Sequence, residues 1–594
     1  MSYQPLRSET TSVNWHMEEK YHKEAIFSFQ FLRNLYRIFL LSQVSNTDKY
    51  LLGLWGLLIV ISLLCSYQII LIPGKIYQFL LEGDKESFVV ELWILLFWCI
   101  LITCIRILRE ACQSVLSNRA RKAVTEYIQS IYMSNFSFYR LHNWKDAPDN
   151  PDQRIVSDVE QLFELLYQTL GGQLGSSGLI EAVLNILWYS FHTLVRCGLV
   201  GISIAYAWSI LVGVVETLLV NVVSPWIFQQ EVFQAWFRFL HIDLRRNAEY
   251  ILFQGDGNFE RRRLQNALES VVNNRYRIIF RQMGLNSAQV GYGYLVNLIM
   301  YITIGIVLLQ GSYWSLEKDS TKAEWIAQTS GIFISLLYGF TTLIQRGTNL
   351  SSLVPVSTRV AQLLDKLETL TNTWMQSCIE LSNNQIEVCD ITVETLDGKF
   401  LLSSLSFQLA KAESLLIYGP SGIGKTCILR CIRGLWKPSK GRIFRPALSD
   451  VSYYGIYFLP EYPYLPPNCS LREQLCYPKS KDSKQEEEEE IESLLKCVGL
   501  SNLQHRVGGL DSKKDLTLLL SAGEKQKLCL ARALYHKPSW IVMDEAICNL
   551  DTDSKQAVYN ILKFRGIGFI TVSHDEELKA VHDKILELSK NDDL

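Results

Sequence analysis

The sequence predicts a multi-domain membrane protein in which a six-helix, all-α transmembrane domain is followed by an α/β P-loop nucleotide-binding domain. Three observations lead to this fold class. The chain has 594 residues, which is too long for one hydrophobic core. Long apolar stretches crowd the chain before residue 350. After residue 385, apolar runs of strand length surround a glycine-rich phosphate-loop pattern, which is typical of an α/β domain.

Composition divides the chain into four segments. Residues 1–48 form a cytosolic N-terminal segment, 49–365 hold the spans and their long cytosolic helical extensions, 366–384 are a linker, and 385–594 are the nucleotide-binding domain. The N-terminal segment lacks the basic-then-apolar pattern of a signal peptide. Residues 27–41 alternate aromatic, basic and aliphatic side chains, so we expect an amphipathic helix on the membrane surface.

The predicted spans are stretches close to the length of about 20 apolar residues that a bilayer crossing needs. Arginines flank the second span and fill the connection between the fourth and fifth, so the positive-inside rule places both connections and the N-terminus in the cytosol. The six stretches are 51–72, 88–108, 178–196, 199–223, 290–310 and 326–346.

Glu216 lies inside the fourth predicted span. A carboxylate within a membrane is costly, so it usually faces a cavity or a polar partner. We therefore treat Glu216 as a candidate residue of a membrane cavity that binds substrate or gates transport. A structural pair with a polar neighbour is the alternative, as is a position nearer the membrane surface.

Charge and cysteine spacing narrow the classes of partner. The formal net charge is −2, so bulk charge gives no reason to expect a nucleic-acid partner. The 14 cysteines lack C-x-x-C pairs and are interpreted as reduced thiols, not as a disulfide frame or a metal site. Cys427 and Cys431 lie four residues apart on a predicted helix, where small core residues are favoured over a metal pair.

The candidate nucleotide site begins at a match to G-x-x-x-x-G-K-[ST], between the apolar run 415–418 and a helical stretch. Backbone N–H groups in such a turn converge on phosphate, and the helix N-terminus adds partial positive charge. We expect Lys425 to reach the β- and γ-phosphates and the Thr426 hydroxyl to bind Mg²⁺. The predicted phosphate-binding residues are Gly419, Pro420, Ser421, Gly422, Ile423, Gly424, Lys425, Thr426 and Cys427.

A second apolar run, 539–543, ends in two carboxylates. We predict that Asp544 holds Mg²⁺, directly or through water, and that Glu545 polarises the water that attacks the γ-phosphate. A strand followed by solvated acidic residues is the alternative, but the phosphate loop upstream favours the catalytic interpretation. ATP and Mg²⁺ are the expected cofactors.

A capping-box spacing precedes the apolar helix predicted at 528–534, with Ser521 as the cap and Glu524 reaching back. That spacing alone would favour a simply capped helix. The full string from Leu520 to Gln526, however, resembles the signature loop of ATP-binding cassette proteins. The resemblance implies that this loop binds the γ-phosphate of an ATP held mainly by another subunit, through Leu520, Ser521, Ala522, Gly523 and Glu524.

Two further strings extend the resemblance over the last part of the chain. Residues 549–551, Asn-Leu-Asp, resemble the loop that follows the family's catalytic glutamate, and 569–574 resemble its strand with the switch histidine. The resemblance implies that Glu545 is catalytic and that His574 contacts the γ-phosphate.

Two positions depart from the family pattern. Family members usually carry glutamine in the loop that senses Mg²⁺, where this chain has Glu461. Glutamate can bind Mg²⁺ but adds negative charge beside the phosphates. The aromatic residue that stacks on adenine is expected near Thr395 and is absent from the sequence there.

The membrane half resembles the subfamily D half-transporters. Residues 150–155, Asn-Pro-Asp-Gln-Arg-Ile, look like a segment typical of that group, and 237–260 resemble its cytosolic loop that contacts the nucleotide domain. The residues expected to couple the two domains are Asn247, Ala248 and Glu249. Within the subfamily, the strings at 71–77, 237–249 and 499–511 are nearer to the lysosomal cobalamin branch than to the peroxisomal members.

The resemblance implies an ATP hydrolase coupled to transport, built as a homodimer or as a heterodimer with another half-transporter in the lipid bilayer. Export of a small molecule, cobalamin, from lysosome to cytosol is the favoured function. It implies a lysosomal membrane location with a cytosolic nucleotide domain, and a membrane chaperone for exit from the endoplasmic reticulum. The alternatives are a peroxisomal importer of long-chain or very-long-chain fatty acids or acyl-CoA, and an ATP-gated scaffold without transport.

Overall fold

The computed structural model describes residues 29–42, 45–143, 148, 150–173, 176–255, 257–309, 319–372, 379–382, 385–394, 400–446, 455–478 and 487–588. The chain divides into two compact units. Unit 1 contains Met1–Ile131 and Pro148–Lys366, and unit 2 contains Tyr132–Ala147 and Leu367–Leu594. A short piece of the membrane half, at 132–147, therefore groups with the nucleotide-binding half.

The first part of the chain is almost entirely helical. A 3₁₀ turn, Ser134–Phe136, follows the third helix, and a π-helical turn, Arg154–Asp158, follows the fifth. The elements are α1 Phe29–Ser42, α2 Asn46–Glu82, α3 Lys85–Met133, α4 Ser137–Asn143, α5 Pro151–Gln153, α6 Val159–Gly171, β1 Gly172–Gln173, β2 Ser176–Ser177, α7 Leu179–Arg246, α8 Ala248–Gln254, α9 Asn258–Leu309 and α10 Asp319–Asn372.

Within the described residues, five helices are long and apolar enough to cross a membrane: α2, α3, α7, α9 and α10. The structure thus has five candidate spanning elements where the sequence predicts six spans, because the third and fourth predicted spans lie in the two parts of α7. That helix is interrupted at Gly198, whose φ of 65° and ψ of −164° are not helical.

The chain reverses direction at this interruption. The Ser190 hydroxyl lies 3.1 Å from the Tyr206 hydroxyl, although the two residues are 16 apart in sequence. A straight α-helix would separate them by about 24 Å, at 1.5 Å per residue. The two parts of α7 on either side of Gly198 are therefore antiparallel neighbours. Each part corresponds to one of the two apolar stretches that the hydropathy of the sequence shows.

Local sequence sets the ends of the first long helix. Ser45 accepts a hydrogen bond from the backbone N–H of Thr47 at the N-terminus of α2. Gly83 ends the helix in the left-handed region, with φ of 73°, where glycine avoids the penalty of a Cβ atom. Capping satisfies backbone groups that a helix end otherwise leaves unpaired.

The core of unit 1 joins several of the long helices. Leu63 of α2, Ile186 and Ala205 of α7, Met300 of α9 and Phe333 of α10 are buried in one cluster. Ile186 and Ala205 come from the two antiparallel parts of α7. Packing across helices, and not helix propensity alone, therefore fixes how this bundle is arranged.

Unit 2 is an α/β domain with two sheets. Its elements are β3 Ile379–Leu381, β4 Gln385–Glu394, β5 Phe400–Ala410, β6 Ser414–Tyr418, α11 Lys425–Arg433, β7 Lys440–Arg445, β8 Ile456–Leu459, α12 Leu471–Cys476, α13 Glu487–Cys497, α14 Leu503–Val507, α15 Leu516–Leu519, α16 Ala522–Tyr535, β9 Trp540–Asp544, α17 Thr552–Phe564, β10 Gly568–Ser573 and β11 Lys584–Glu587. The five-stranded sheet is parallel, with the order β11-β6-β10-β9-β8, and the four-stranded sheet has the order β3-β7-β4-β5.

The register of the parallel sheet brings three motif-bearing strands side by side. Strand β10 lies between β6 and β9, with Ser573 opposite Tyr418 and Val572 opposite Asp544. The carboxyl ends of parallel strands meet at one edge of a sheet, where α/β proteins bind their ligands. The loops that follow these three strands therefore open at the same edge.

Residues 481–492 include five consecutive glutamates. Residues 481–486 lie outside the described residues, but Glu487 begins α13. Glu488 accepts a hydrogen bond from Arg472 at 2.5 Å, and Glu490 forms an ion pair with Lys537 at 2.7 Å. Acidic side chains in a first helical turn also complement the helix dipole, so this part of the run supports a helix.

Candidate functional site

The phosphate loop connects β6 to α11, as the sequence predicts. Leu415, Leu416 and Ile417 of β6 are buried. Gly422 and Gly424 have φ values of 80° and 105°, in the left-handed region that favours glycine. A Cβ atom on Gly422 would meet nothing within 4 Å, so the turn leaves open space beside its backbone. The backbone there can approach a phosphate closely.

Lys425 begins α11 and is folded into its own loop. Its ammonium group donates to the carbonyl oxygens of Gly419 at 2.6 Å and of Pro420 at 3.2 Å. Burial is the main influence on this residue and lowers the pKa of Lys425, whereas the nearby carboxylates of Glu545 and Asp544 act in the opposite direction. The loop carbonyls therefore hold the Lys425 ammonium group within the phosphate loop, where it can pair with a phosphate group.

Asp544 at the end of β9 faces the hydroxyl group of Thr426. The Thr426 Oγ1 atom donates to Asp544 Oδ1 at 3.2 Å. Burial raises the pKa of Asp544 above its usual range, and the charges of Glu545 and Glu461 raise it further. The charge of Glu461 thus acts on this carboxylate, and the Thr426 hydroxyl contacts it directly.

These side chains fit a magnesium ion. Mg²⁺ prefers oxygen ligands and is commonly held by one or two carboxylates together with phosphate oxygens and water. Among the described residues, no group of three or more His, Cys, Asp or Glu side chains forms a complete metal site. This agrees with a site in which the protein supplies only the Thr426 hydroxyl and the Asp544 carboxylate, and phosphate oxygens complete the ligands. Bound Mg²⁺ would offset the negative charge that Asp544, Glu545 and Glu461 bring together.

Glu545 and His574 form a second contact at the same edge. His574 Nε2 lies 2.8 Å from Glu545 Oε1, and His574 Nδ1 lies 3.0 Å from Lys425 Nζ and 3.0 Å from the Gly419 carbonyl oxygen. One neutral tautomer fits the two charged neighbours: Nε2–H donates to the carboxylate and Nδ1 accepts from the ammonium group. Glu545 itself has a positive φ of 48°, which is uncommon for a residue other than glycine.

The signature string opens α16 with both hydrogen bonds of a capping box. The Ser521 side chain accepts from the Glu524 backbone N–H, and the Glu524 side chain accepts from the Ser521 backbone N–H. Arg506 also pairs with the Glu524 carboxylate. Ser521 and Ala522 are exposed, Gly523 and Glu524 are half-buried, and Leu520 is buried. The start of the helix is therefore rigid and accessible.

Gln526 connects two motifs that sequence reasoning treated separately. Its side-chain oxygen accepts from the backbone N–H of Asn549 at 3.1 Å, and its side-chain nitrogen donates to Cys548 at 3.5 Å. The signature helix is thereby fixed to the loop that follows Glu545. Gln526 was part of the recognised string, but nothing in the string alone indicated this contact.

A segment that precedes the nucleotide-binding domain by more than 200 residues packs against it within unit 2. Trp436 Nε1 donates to the Tyr139 hydroxyl at 3.1 Å, the Arg433 guanidinium lies 5.0 Å from the Phe136 ring centroid, and Arg140 donates to the Leu370 carbonyl at 2.6 Å. Trp436 lies shortly after α11, which begins at the phosphate loop. Sequence reasoning did not single out this tryptophan, because no local pattern indicates a contact with so distant a segment.

The other predicted coupling residues lie at the start of α8 in unit 1. Asn247 donates from its side chain to Asp243 at 2.8 Å, and Ala248 and Glu249 form the first turn of the helix. Tyr250 and Phe253 of the same helix are exposed. These two exposed side chains are available for contact with another surface. Coupling through Asn247, Ala248 and Glu249 stays a prediction.

Glu216 is buried and paired. Its carboxylate accepts a hydrogen bond from Gln289 of α9 at 2.6 Å. This contact favours the alternative interpretation, a structural pair with a polar neighbour. A role of Glu216 in a membrane cavity stays a prediction. The family pattern places an adenine-stacking aromatic residue near Thr395, where this sequence has none. Residues 395–399 lie outside the described residues.

Comparison with known proteins agrees with this architecture. The family model "ABC transporter transmembrane region 2" matches residues 35–309, and the model "ABC transporter" matches 402–548. The human lysosomal cobalamin transporter ABCD4 is 29% identical over 547 residues, covering 88% of each chain. An uncharacterized ABC transporter ATP-binding protein of Synechocystis is 30% identical over 480 residues, covering 79% of this chain and 69% of the relative.

More distant relatives lie in the same group. Human ATP-binding cassette sub-family D member 3 is 24% identical over 499 residues, covering 79% of this chain and 74% of the relative. The solved structure of a bacterial Atm1-family ABC exporter with ATP bound superposes with a TM-score of 0.66 and 17% identity, over 92% of this chain and 94% of the other. At that identity the match shows the fold alone.

The matched domains define what this protein is in general terms. It is a multi-pass integral membrane protein with an ATP-binding domain, and such domains in general imply hydrolysis of ATP, usually with Mg²⁺, coupled to transport. A transmembrane domain followed by an ATP-binding domain, and relatives throughout one group, lead to one conclusion: this chain belongs to the ABC transporter family, in subfamily D.

Proposed function

We propose that this protein is one half of a dimeric, ATP-driven exporter that moves cobalamin from the lysosome to the cytosol. The observation that carries the proposal is the likeness to the lysosomal cobalamin transporters of human and mouse, which extends over 88% of this chain in each case. A likeness of that extent includes the membrane half, where a substrate cavity would lie, and not only the ATP-binding domain.

We assign the chemistry of ATP hydrolysis to the edge where β6, β9 and β10 end. The phosphate loop would hold the β- and γ-phosphates through its backbone and Lys425, and Thr426 and Asp544 would hold Mg²⁺. Glu545 would act as the general base toward the attacking water. His574, fixed by Glu545 and by the Lys425 ammonium group, would orient that carboxylate and contact the γ-phosphate.

The proposed working unit is a homodimer or a heterodimer with another half-transporter. Each chain has one phosphate loop and one signature loop, and Ser521 and Ala522 of the latter are exposed. In the proposed dimer, each signature helix would supply its N-terminus, with its partial positive charge, to an ATP held by the other chain. The lysosomal membrane and a membrane chaperone for reaching it belong to the same proposal.

Glu461 supports a second candidate, an ATP-gated scaffold without transport. Its charge acts on Asp544 and so adds to the repulsion around a catalytic centre that already contains Glu545. Slow turnover with intact ATP binding is the expected sign of that function. The peroxisomal importer of fatty acids or acyl-CoA is the third outcome that an experiment must distinguish.

The test is ATP hydrolysis by the purified full-length dimer in liposomes, with cobalamin and with long-chain acyl-CoA added separately. Stimulation by cobalamin alone, absent in Glu545→Gln, supports the exporter. Stimulation by acyl-CoA alone would replace it with the importer. ATP binding without hydrolysis under both conditions would favour the scaffold, and Glu461→Gln would then be expected to restore hydrolysis.

A further inference from the structure

Two arginine side chains of α9 lie over one tryptophan ring of α7. The guanidinium carbon of Arg281 is 4.2 Å from the Trp226 ring centroid, and that of Arg277 is 5.3 Å from it. Each contact alone is a favourable cation–π interaction. Two like charges four residues apart on a helix nevertheless repel each other.

Among the residues that the structure describes, no carboxylate forms an ion pair with Arg277 or Arg281. The polar contact of Arg281 is to the Arg277 carbonyl oxygen at 3.3 Å. Within that described part of the chain, both guanidinium groups keep donors that are not used. The pair is therefore an arrangement that an anion with several oxygen atoms would stabilise.

The tryptophan is held in place without any ligand. Asn274 of α9 is buried, and its side-chain nitrogen donates to the Trp226 carbonyl oxygen at 3.0 Å and to Gln230 at 2.9 Å. These two hydrogen bonds fix the backbone of α7 against α9 at the level of the ring. A site built before its ligand arrives loses less entropy on binding.

The depth of the ring points to the boundary of the bilayer. Trp226 follows the predicted span 199–223 by three residues, on the side that the arginine distribution places in the cytosol. Phe280 and Ile227, next to the arginines and the tryptophan in sequence, are 72% and 47% exposed. Tryptophan, arginine and exposed apolar side chains together are characteristic of the zone where headgroups meet acyl chains.

We propose that Trp226, Arg277 and Arg281 bind the phosphate group of an anionic lipid in the cytosolic leaflet. The two guanidinium groups donate charge-assisted hydrogen bonds to the phosphate oxygens, as planar arginine side chains are suited to do. The Trp226 ring packs against the headgroup boundary, and Phe280 contacts the adjoining acyl chain. This site is separate from the ATP site and does not depend on which substrate is transported.

The test compares the full-length dimer in nanodiscs of phosphatidylcholine with and without phosphatidylserine. We expect phosphatidylserine to raise the Tm of the parent protein and to be retained after mild detergent extraction. In R277Q/R281Q the rise in Tm is expected to disappear, and retained phosphatidylserine to fall roughly tenfold, as for a lost pair of charge-assisted contacts. R261Q/R262Q removes the same charge elsewhere on α9 and is expected to behave as the parent does.

Two results would overturn the proposal. One is an unchanged rise in Tm for R277Q/R281Q, or an equal loss in R261Q/R262Q, which would mean that only net charge matters. The other is an equal rise when inorganic phosphate replaces phosphatidylserine in phosphatidylcholine nanodiscs, because the ligand would then be a soluble phosphate. Trp226→Phe keeps an aromatic ring and tests the contribution of the Trp226 ring, in case the double variant does not fold.

Discussion

The Nε2 atom of His574 lies 2.8 Å from the carboxylate of Glu545, so the residues that directly follow strands β10 and β9 are in contact. Since Val572 lies opposite Asp544 in the sheet register, this contact follows from the pairing of the two strands. The sheet thus positions the proposed general base and its orienting histidine before ATP is present.

Glu545→Gln is expected to separate ATP binding from ATP hydrolysis. The amide keeps the size of the side chain but removes the basic oxygen, so hydrolysis should fall by at least about 100-fold, the lower range for loss of a general base. ATP binding should stay within about twofold of the parent, because no phosphate contact is lost. Single-turnover hydrolysis and equilibrium binding measure the two quantities. Asp553→Asn, an exposed residue in the first turn of α17, is the control; equal loss in both variants would refute the assignment.

Asp544→Asn is expected to stabilise the protein without ligand and to abolish stabilisation by Mg²⁺ and ATP. Because burial raises the pKa of Asp544 in the folded state, the carboxylate binds its proton more tightly when folded than when unfolded. Its contribution therefore favours folding below the unfolded pKa and is lost as the pH rises. At neutral pH, removing the charge should therefore raise the Tm. Thermal unfolding between pH 5 and pH 8 measures the Tm of both proteins. The prediction is contradicted if Mg²⁺ and ATP raise the Tm of Asp544→Asn as much as that of the parent.

The edge of the parallel sheet was predictable from the sequence, whereas the contacts between distant segments were not. The phosphate loop, the Asp544-Glu545 pair and the signature helix are local strings whose chemistry requires particular residue types in a fixed spacing. Gln289 and Glu216 are 73 residues apart, and Tyr139 and Trp436 are 297 apart, so no local pattern indicates either pair. Hydropathy found two apolar stretches on either side of Gly198 but carried no information on how the structure joins them.

Trp436→Phe is expected to loosen α4 without changing the nucleotide site. The substitution keeps a ring but removes the N–H donor to Tyr139, which costs about 1 kcal/mol for an ordinary hydrogen bond. Amide hydrogen exchange in 137–143 should then speed up about fivefold, while exchange in α17 stays unchanged. Tyr139→Phe removes the other partner and should match it. Unchanged exchange in both variants would show that this hydrogen bond does not hold α4.

Glu181→Ala is expected to destabilise the membrane half strongly. Arg109 and Glu181 are both buried and pair at 2.5 Å, so removing the carboxylate leaves a buried guanidinium without its partner. Breaking such a pair costs about 3–5 kcal/mol, whereas replacing both residues by apolar ones of similar size is often neutral. Thermal unfolding in detergent should therefore show a large loss for Glu181→Ala and a smaller loss for R109M/E181M.

The exposed pair Arg121–Glu160 provides the control for that comparison. It is short, at 2.6 Å, but its two side chains are 37% and 51% exposed. Water competes for both charges, so Glu160→Ala should cost no more than about 1 kcal/mol. If Glu181→Ala were as mild as Glu160→Ala, the buried pair would contribute nothing beyond a surface ion pair. Glu181→Ala is therefore expected to lose more Tm than either R109M/E181M or Glu160→Ala, because burial and not distance distinguishes the two pairs.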